Sequence, residues 1–172
     1  MANSIWKFHV DWTETFFRCN ENIFVSNYLK KPVSNPWNCN VHAHGTDSKD
    51  FSDKELNDIN FSFLHQEYTK ISKQFLVDNN IFCDCSIYSI WYNIYFNGQF
   101  QEPHDHEGHY AGVHFVKYTE GHPTIAFEDS NILVPDISQG DLIIFPANLV
   151  HYVEKNNTQE PRLTIAFGIN LC

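Results

Sequence analysis

The alternation of apolar and polar residues becomes regular from about residue 83 onward. There, short runs rich in β-branched and aromatic residues are separated by turn signals such as Asn97–Gly98, Gly121–Pro123 and Gly140. The runs read CSIYSIWYNIYF, YAGVHFVKY, PTIAFED, NILVP, GDLIIFP, LVHYVE and RLTIAFGINL. Seven or eight short strands with no helix between them are typical of a β-sandwich or a jelly roll.

The first 80 residues are irregular and polar by comparison, and they predict one helix. Within NFSFLHQEYTKISKQFLVDNN, residues 60–80, apolar side chains recur at helical spacing: Leu64, Tyr68, Ile71 and Phe75. Upstream, Ser52 and Glu55 stand three residues apart, as in a capping box.

The strand-like pattern of the C-terminal half and the irregular N-terminal half together predict a mainly β protein with a double-stranded β-helix (jelly roll) core. A length of 172 residues suits one domain, residues 1–172, with a core of real size. We expect a helical or irregular N-terminal layer over residues 1–82 and a jelly-roll core over residues 83–172. That core would carry the functional site.

The charge of the chain excludes several classes of partner. The formal net charge is −10 and the 11 basic residues form no cluster, so binding to nucleic acid or to an anionic membrane surface is not expected. No apolar run approaches 18 residues, and MANSIWKFHVDWTETFF lacks a basic region followed by an apolar one. Five irregularly spaced cysteines fit a reducing compartment better than a disulfide framework. We therefore expect a cytoplasmic protein.

The segment EPHDHEGH, residues 102–109, holds three histidines and three carboxylates. If His104 and His106 end a strand, their side chains point to one face while Asp105 points away. A pair of this kind suits two ligands of one metal, but alone it is more often a solvated surface feature.

A third histidine follows the predicted strand DLIIF. His151 comes five residues after Pro146, and a jelly roll can bring such a distant residue back beside the first pair. Three imidazoles would suit iron, copper, zinc or nickel, with metal positions left open for substrate.

A possible anion site comes next along the chain. Arg162 and Thr164 are two residues apart on a strand and so face the same way. If they face inward, the buried guanidinium requires an anion, and it pairs best with a carboxylate. The alternative is that Arg162, which follows Pro161, faces solvent at the start of its strand.

These motifs together resemble the bacterial and tailed-phage 2-oxoglutarate/Fe(II)-dependent oxygenases. The resemblance rests on WYNIYFNGQFQEPHDHEGHYAGVHFV, GDLIIFPANLVHYV and RLTIAFGIN, and it extends over about residues 88–170. NPWNCNV, at residues 35–41, is similar to the N-terminal part of that family. The resemblance implies Fe(II), 2-oxoglutarate and O2 as the reactive set, with oxidation of a substrate C–H bond and release of succinate and CO2.

For the metal, the resemblance implies His104, His106 and His151 as ligands. The family more often has a carboxylate where this chain has His106. Three alternatives stay open: His106 is the third ligand, Asp105 swings in from a bulge, or water completes the site. The strand-face argument favours His106.

For the cosubstrate, the resemblance implies that Arg162 holds the distal carboxylate of 2-oxoglutarate with help from Thr164. Asn93 and Tyr95 alternate onto one face of their strand together with Trp91. Asn93 and Tyr95 would therefore hydrogen-bond the cosubstrate, whereas Trp91 is expected to be a core aromatic.

Two other functions compete with an oxygenase that hydroxylates its substrate. A cupin-type enzyme would use the same metal without 2-oxoglutarate, and a jelly-roll binding module would have no catalytic activity. The pair Arg162 and Thr164 distinguishes them, because a cupin gives it no necessary role. The substrate, a small molecule or a peptide, and the oligomeric state are not indicated by the sequence.

Overall fold

A computed structural model describes residues 5–23, 40–45 and 61–172. Its helices are α1 (Thr13–Ile23) and α2 (Phe61–Asp78). Its strands are β1 (Trp6–His9), β2 (Asn40–Gly45), β3 (Cys85–Tyr95), β4 (Gln101–His104), β5 (Tyr110–Lys117), β6 (Ile125–Phe127), β7 (Asp141–Pro146), β8 (His151–Val153) and β9 (Arg162–Leu171). Neither α1 nor α2, in this described part of the chain, has the length and hydropathy needed to cross a membrane.

The strands form two antiparallel sheets. The larger has six strands in the order β1-β7-β5-β9-β3-β2, and the smaller has three in the order β4-β8-β6. Side chains from both sheets meet in one apolar cluster; for example, the rings of Phe127 (β6) and Phe145 (β7) lie 5.1 Å apart. Two antiparallel sheets packed face to face confirm the predicted double-stranded β-helix.

The outer face of the six-stranded sheet carries the two helices. Ile90, Tyr92 and Ile94 alternate along β3 and belong to the same apolar cluster as residues of α1 and α2. The ring of Tyr68 on α2 stacks on Phe167 of β9 at 4.3 Å. Burial of each such side chain contributes about 1.5–3 kcal/mol to stability. The helices therefore hold one face of the six-stranded sheet, and the other face meets the smaller sheet.

The N-terminal half contributes more regular structure than the sequence predicts. The helix predicted within residues 60–80 is confirmed as α2, but α1, β1 and β2 were expected to be irregular. β1 and β2 form the two edges of the larger sheet. They are only four and six residues long, which is too short for a clear alternation of polarity. The proposed capping box at Ser52 and Glu55 lies outside the described residues.

One predicted strand is absent from the described part of the chain. NILVP, residues 131–135, follows a turn in which the Ile132 amide donates to the Asp129 carbonyl at 3.0 Å. Leu133 is 85% exposed there. β-Propensity alone therefore misled the prediction, because no neighbouring strand pairs with this segment.

A buried histidine ties both helices to the sheet. His114 on β5 is fully buried and lies between Thr13 of α1 and Tyr68 of α2. Thr13 Oγ1 donates to the Val10 carbonyl at 2.6 Å, so the hydroxyl accepts from His114 Nε2 at 2.7 Å. Tyr68 then donates to Nδ1 at 2.9 Å. The neutral imidazole satisfies both contacts, and burial lowers its pKa to about 3.

We predict that His114 makes the stability of the fold sensitive to acid. Its folded pKa of about 3 lies below the ordinary value of about 6.5. Between these pH values only the unfolded chain takes up this proton, so stability present above pH 6.5 is lost as the pH falls. His114→Gln should be less stable than wild type at pH 7.5, with the gap narrowing by about 2 kcal/mol at pH 5. Urea unfolding at both pH values measures this, and a constant gap would contradict it.

Candidate metal centre

Three histidine side chains converge at the inner face of the smaller sheet. One ring nitrogen from each of His104, His106 and His151 lies within 4.8 Å of the other two. The ring centroids of His104 and His151 are 4.3 Å apart, and His106 is 5.0 Å from each. The structure therefore brings together all three predicted metal ligands; their role as ligands remains a prediction.

Strand pairing explains two members of the cluster. His104 is the last residue of β4 and His151 the first of β8, and the two are direct partners in the antiparallel register. Side chains opposite each other in such a pair are neighbours on one face of the sheet.

The third member reaches the cluster by a route that the sequence argument did not foresee. β4 ends at His104, so His106 is not on the strand and the strand-face reasoning was wrong for it. Instead the His106 amide donates to the Ala147 carbonyl at 2.9 Å, and its ring packs edge-on against Trp91 at 5.2 Å. Asp105 is exposed and outside the cluster.

Backbone carbonyls select the tautomer of two of these histidines. His104 Nδ1 lies 2.8 Å from the Glu102 carbonyl, and His151 Nδ1 lies 2.8 Å from the Leu149 carbonyl. A carbonyl only accepts, so Nδ1 carries the proton in both rings and Nε2 keeps its lone pair. Metal-binding histidines are commonly oriented in this way.

Burial keeps the three imidazoles neutral. Removal from water lowers the pKa of His106 to about 4 and that of His151 to about 3, and it also lowers the pKa of His104. A proton on one of these rings would repel a proton on its neighbour, which lowers the pKa of His106 and that of His151 further. A neutral imidazole is the form that binds a metal, so this donor set fits iron and the other metals that prefer nitrogen ligands.

The histidines border a small cavity between the two sheets. This inner cavity, of about 20 Å³, is also lined by Asn93, Tyr95, Arg162 and Thr164. Asn93 pairs with Thr164, and Tyr95 with Arg162, across β3 and β9. The predicted cosubstrate residues therefore lie on one face because of register, beside the histidine cluster; their role stays a prediction.

Arg162 faces this cavity rather than solvent. Only 1% of the residue is exposed. The guanidinium carbon lies 4.7 Å from the centre of the Tyr95 ring and 5.4 Å from that of Phe115, so cation–π attraction offsets part of its desolvation. Among the described residues that line the cavity, none carries a carboxylate. The Arg162 side chain therefore lines the inner cavity on the same side as Tyr95 and Thr164.

Gln101, which the sequence analysis did not single out, links Tyr95, beside Arg162, to the histidine cluster. Gln101 is 8% exposed and lines the inner cavity. Tyr95 donates its hydroxyl proton to Gln101 Oε1, and Gln101 Nε2 lies 3.2 Å from His104 Nε2. A single glutamine in QEPH carries no pattern of its own, so only the fold identifies it.

A wider groove gives access from solvent. It has a volume of about 360 Å³ and shares Trp91, Asn93, Gln101 and two of the histidines with the inner cavity. Trp91, expected to be a core aromatic, packs against an apolar core cluster while being only partly buried, and it also lines both the inner cavity and the groove.

Tyr88 holds the loop that follows His106 at the mouth of this groove. Its hydroxyl donates to the Glu107 carbonyl at 2.5 Å. The ring lies against Gly168 of β9, where an added Cβ would be 2.0 Å from it, and close to Gly108, whose φ is +90°. The two glycines leave the space that the aromatic ring fills.

Comparison with known proteins supports the same family as the motifs. Residues 127–168 match a family model described as "Putative 2OG-Fe(II) oxygenase". This segment includes His151, Arg162 and Thr164 but begins downstream of His104 and His106. A search of curated proteins finds no match.

Solved structures share the fold at low sequence identity. A viral collagen prolyl hydroxylase from Paramecium Bursaria Chlorella virus-1 superposes with a TM-score of 0.65 at 14% identity, over 98% of this chain and 96% of that one. A Pseudomonas putida prolyl-4-hydroxylase gives 0.65 at 10% identity, over 98% and 93%. The epimerase SnoN from nogalamycin biosynthesis gives 0.67 at 11% identity, over 97% and 77%. These structures confirm the fold, and the family model over residues 127–168 supports the resemblance drawn from the sequence.

We predict that metal binding at this site is nearly independent of pH between 7.5 and 5.5. Three exposed histidines with ordinary pKa values would lose about a thousandfold in affinity over this range, because each must give up a proton. Here the lowered pKa values keep the rings unprotonated. Titration with Co(II) at both pH values should show a change of less than about tenfold, and a loss near a thousandfold would contradict the argument.

Proposed function

We propose that this protein is an Fe(II)- and 2-oxoglutarate-dependent oxygenase that hydroxylates a small molecule or a peptide. The observation that carries the proposal is the inner cavity, where a buried arginine and three neutral imidazoles face the same small space. The family match over residues 127–168 supports it.

In this proposal the histidine cluster holds the iron. His104, His106 and His151 supply nitrogen ligands, and their burial keeps the lone pairs available at neutral pH. Bound iron supplies the O2-dependent oxidation, in which 2-oxoglutarate is converted to succinate and CO2 as the substrate is hydroxylated.

Arg162 orients the cosubstrate. Its planar guanidinium matches a carboxylate with two parallel hydrogen bonds, and the Thr164 hydroxyl on the same face of β9 adds a further donor. Tyr95 holds the guanidinium from one side through its ring. Asn93 is opposite Thr164 in the register and faces both the cavity and the groove, so it contacts the cosubstrate from the side on which substrate enters.

A third histidine instead of a carboxylate changes the electrostatics of the site. Three neutral ligands leave the full charge of the metal ion uncompensated, whereas a carboxylate would remove one unit. A site of this kind attracts an anionic chelate more strongly. The buried cation of Arg162 acts in the same direction.

The shape of the site separates the reaction from water. Val113, Ile125 and Val153 form apolar walls of the inner cavity. The groove of about 360 Å³ beside Trp91 admits the substrate. The solved relatives include two prolyl hydroxylases and an epimerase, so the shared fold leaves the substrate of this chain undetermined.

We predict that Arg162 is required for cosubstrate binding. Anaerobic addition of Fe(II) and then 2-oxoglutarate should produce the visible charge-transfer band of a bidentate chelate. Truncation of one partner of a buried charge pair costs about 2–5 kcal/mol, so Arg162→Gln should weaken 2-oxoglutarate at least about thirtyfold. Arg162→Lys should give an intermediate affinity for 2-oxoglutarate, because lysine keeps the positive charge but cannot form two parallel hydrogen bonds to a carboxylate.

Arg18→Gln on α1 is the matched control, since Arg18 is exposed and pairs with Glu14; it should leave the band unchanged. Iron binding without a 2-oxoglutarate band in the wild type would favour the cupin-type enzyme. If neither iron nor 2-oxoglutarate binds, the non-enzymatic module is the better description.

We predict that His106, and not Asp105, completes the metal site. His106→Ala should lower Fe(II) affinity by at least about tenfold, since even the loss of an outer partner of a ligand costs that much. Asp105→Asn should leave it nearly unchanged, because Asp105 is exposed and outside the cluster. Anaerobic iron titration of both variants measures this; the reverse ranking would assign the ligand to Asp105.

A further inference from the structure

Gln101 occupies a special position in the hydrogen-bond network of the site. It is the first residue of β4 and is buried, yet it is neither a predicted metal ligand nor a predicted cosubstrate residue. Its amide oxygen accepts from Tyr95, and its amide nitrogen lies 3.2 Å from His104 Nε2. The side chain therefore connects the wall of the cosubstrate cavity to one of the candidate metal ligands.

The network fixes the direction of the amide. His104 Nδ1 donates to the Glu102 carbonyl, so Nε2 has a lone pair and no proton. A Gln101 oxygen facing this nitrogen would oppose two acceptors, whereas the N–H of the amide is attracted to it. The Tyr95 hydroxyl supports the same orientation, because it donates its proton to Oε1.

A metal ion and the Gln101 N–H compete for one lone pair. An imidazole nitrogen has a single lone pair in the plane of the ring, and coordination uses it. If a metal took His104 Nε2, the Gln101 N–H would need another acceptor. Tyr95 would still hold Oε1, so the N–H would stay beside His104 and could donate to an anion bound there.

We infer that Gln101 is a positioning residue of the metal centre, whose N–H donates to a carboxylate oxygen of the anion that the metal binds. This inference deepens the proposed function and rests on it for the metal and for the identity of the anion. The placement of Gln101 beside the histidine cluster stands on the hydrogen-bond network alone.

Gln101→Glu tests the placement with a metal alone. A glutamate keeps an oxygen for Tyr95 and presents a second, charged oxygen where the N–H was, so it should add a carboxylate ligand. We expect Zn(II) or Co(II) affinity to rise by about tenfold or more, together with a changed visible spectrum for the Co(II) form. Gln66→Glu, an exposed position on α2, has the same change in net charge and should leave both unchanged.

Gln101→Leu tests the donor role. Loss of one hydrogen bond should weaken 2-oxoglutarate by about two- to twelvefold in the metal-loaded, oxygen-free protein. Affinity for the metal alone should stay within about threefold, because Gln101 is not itself a ligand. Gln66→Leu is the control, and thermal unfolding of each variant establishes that it is folded.

Three results would overturn the inference. Equal metal affinity in Gln101→Glu and Gln66→Glu would show that the side chain does not face the metal. Unchanged 2-oxoglutarate affinity in Gln101→Leu would remove the donor role. A large loss of metal affinity in Gln101→Leu would make Gln101 a ligand instead. Failure of the wild type to bind 2-oxoglutarate counts against the proposed function. The metal titration of Gln101→Glu would still decide whether Gln101 lies beside the metal.

Discussion

The pairing of β3 with β9 is the constraint on which both the fold and the site depend. This ladder runs from Cys85 opposite Leu171 to Tyr95 opposite Arg162 within the larger sheet. Because side chains alternate along both strands, one face packs on the helices and the other faces the smaller sheet. A slip of one residue would exchange these faces and would place Arg162 in the helical core.

Burial has opposite consequences for the two kinds of group in the cavity. It favours neutral imidazoles, which are ready to bind a metal without losing a proton. It also raises the energy of the Arg162 cation, which contacts with Tyr95 and Phe115 only partly offset. In the proposed function, a metal at one end of this space and a carboxylate at the other would answer both effects, and a chelating dicarboxylate would supply the carboxylate while binding the metal.

Much of this arrangement could be predicted from the sequence, because it depends on strand alternation. The spacing of Arg162 and Thr164 gave their shared face, and the period of the C-terminal runs gave most of the strands. Short edge strands such as β1 carry too few residues to show a period. His106 lies in the histidine cluster, but strand alternation is not the reason, since its position depends on a backbone contact to Ala147.

Other features could not be predicted, because they arise from contacts between distant segments. Gln101 is an ordinary polar residue in the sequence, and only its contacts with Tyr95 and His104 in the fold connect it to the site. The segment NILVP has strand-forming residues but no partner strand among the described residues. In both cases the deciding information is the identity of a spatial neighbour, which periodicity along one chain does not contain.

The contact of Tyr88 with Gly168 has a consequence for how this site can evolve. The ring fills the space above Gly168, and its hydroxyl holds the loop behind His106. Any side chain at position 168 displaces the ring, and a smaller residue at position 88 removes one of the contacts that hold the loop. A substitution at either position therefore calls for a compensating one at the other, because each change alone disturbs the contacts of the loop that follows His106.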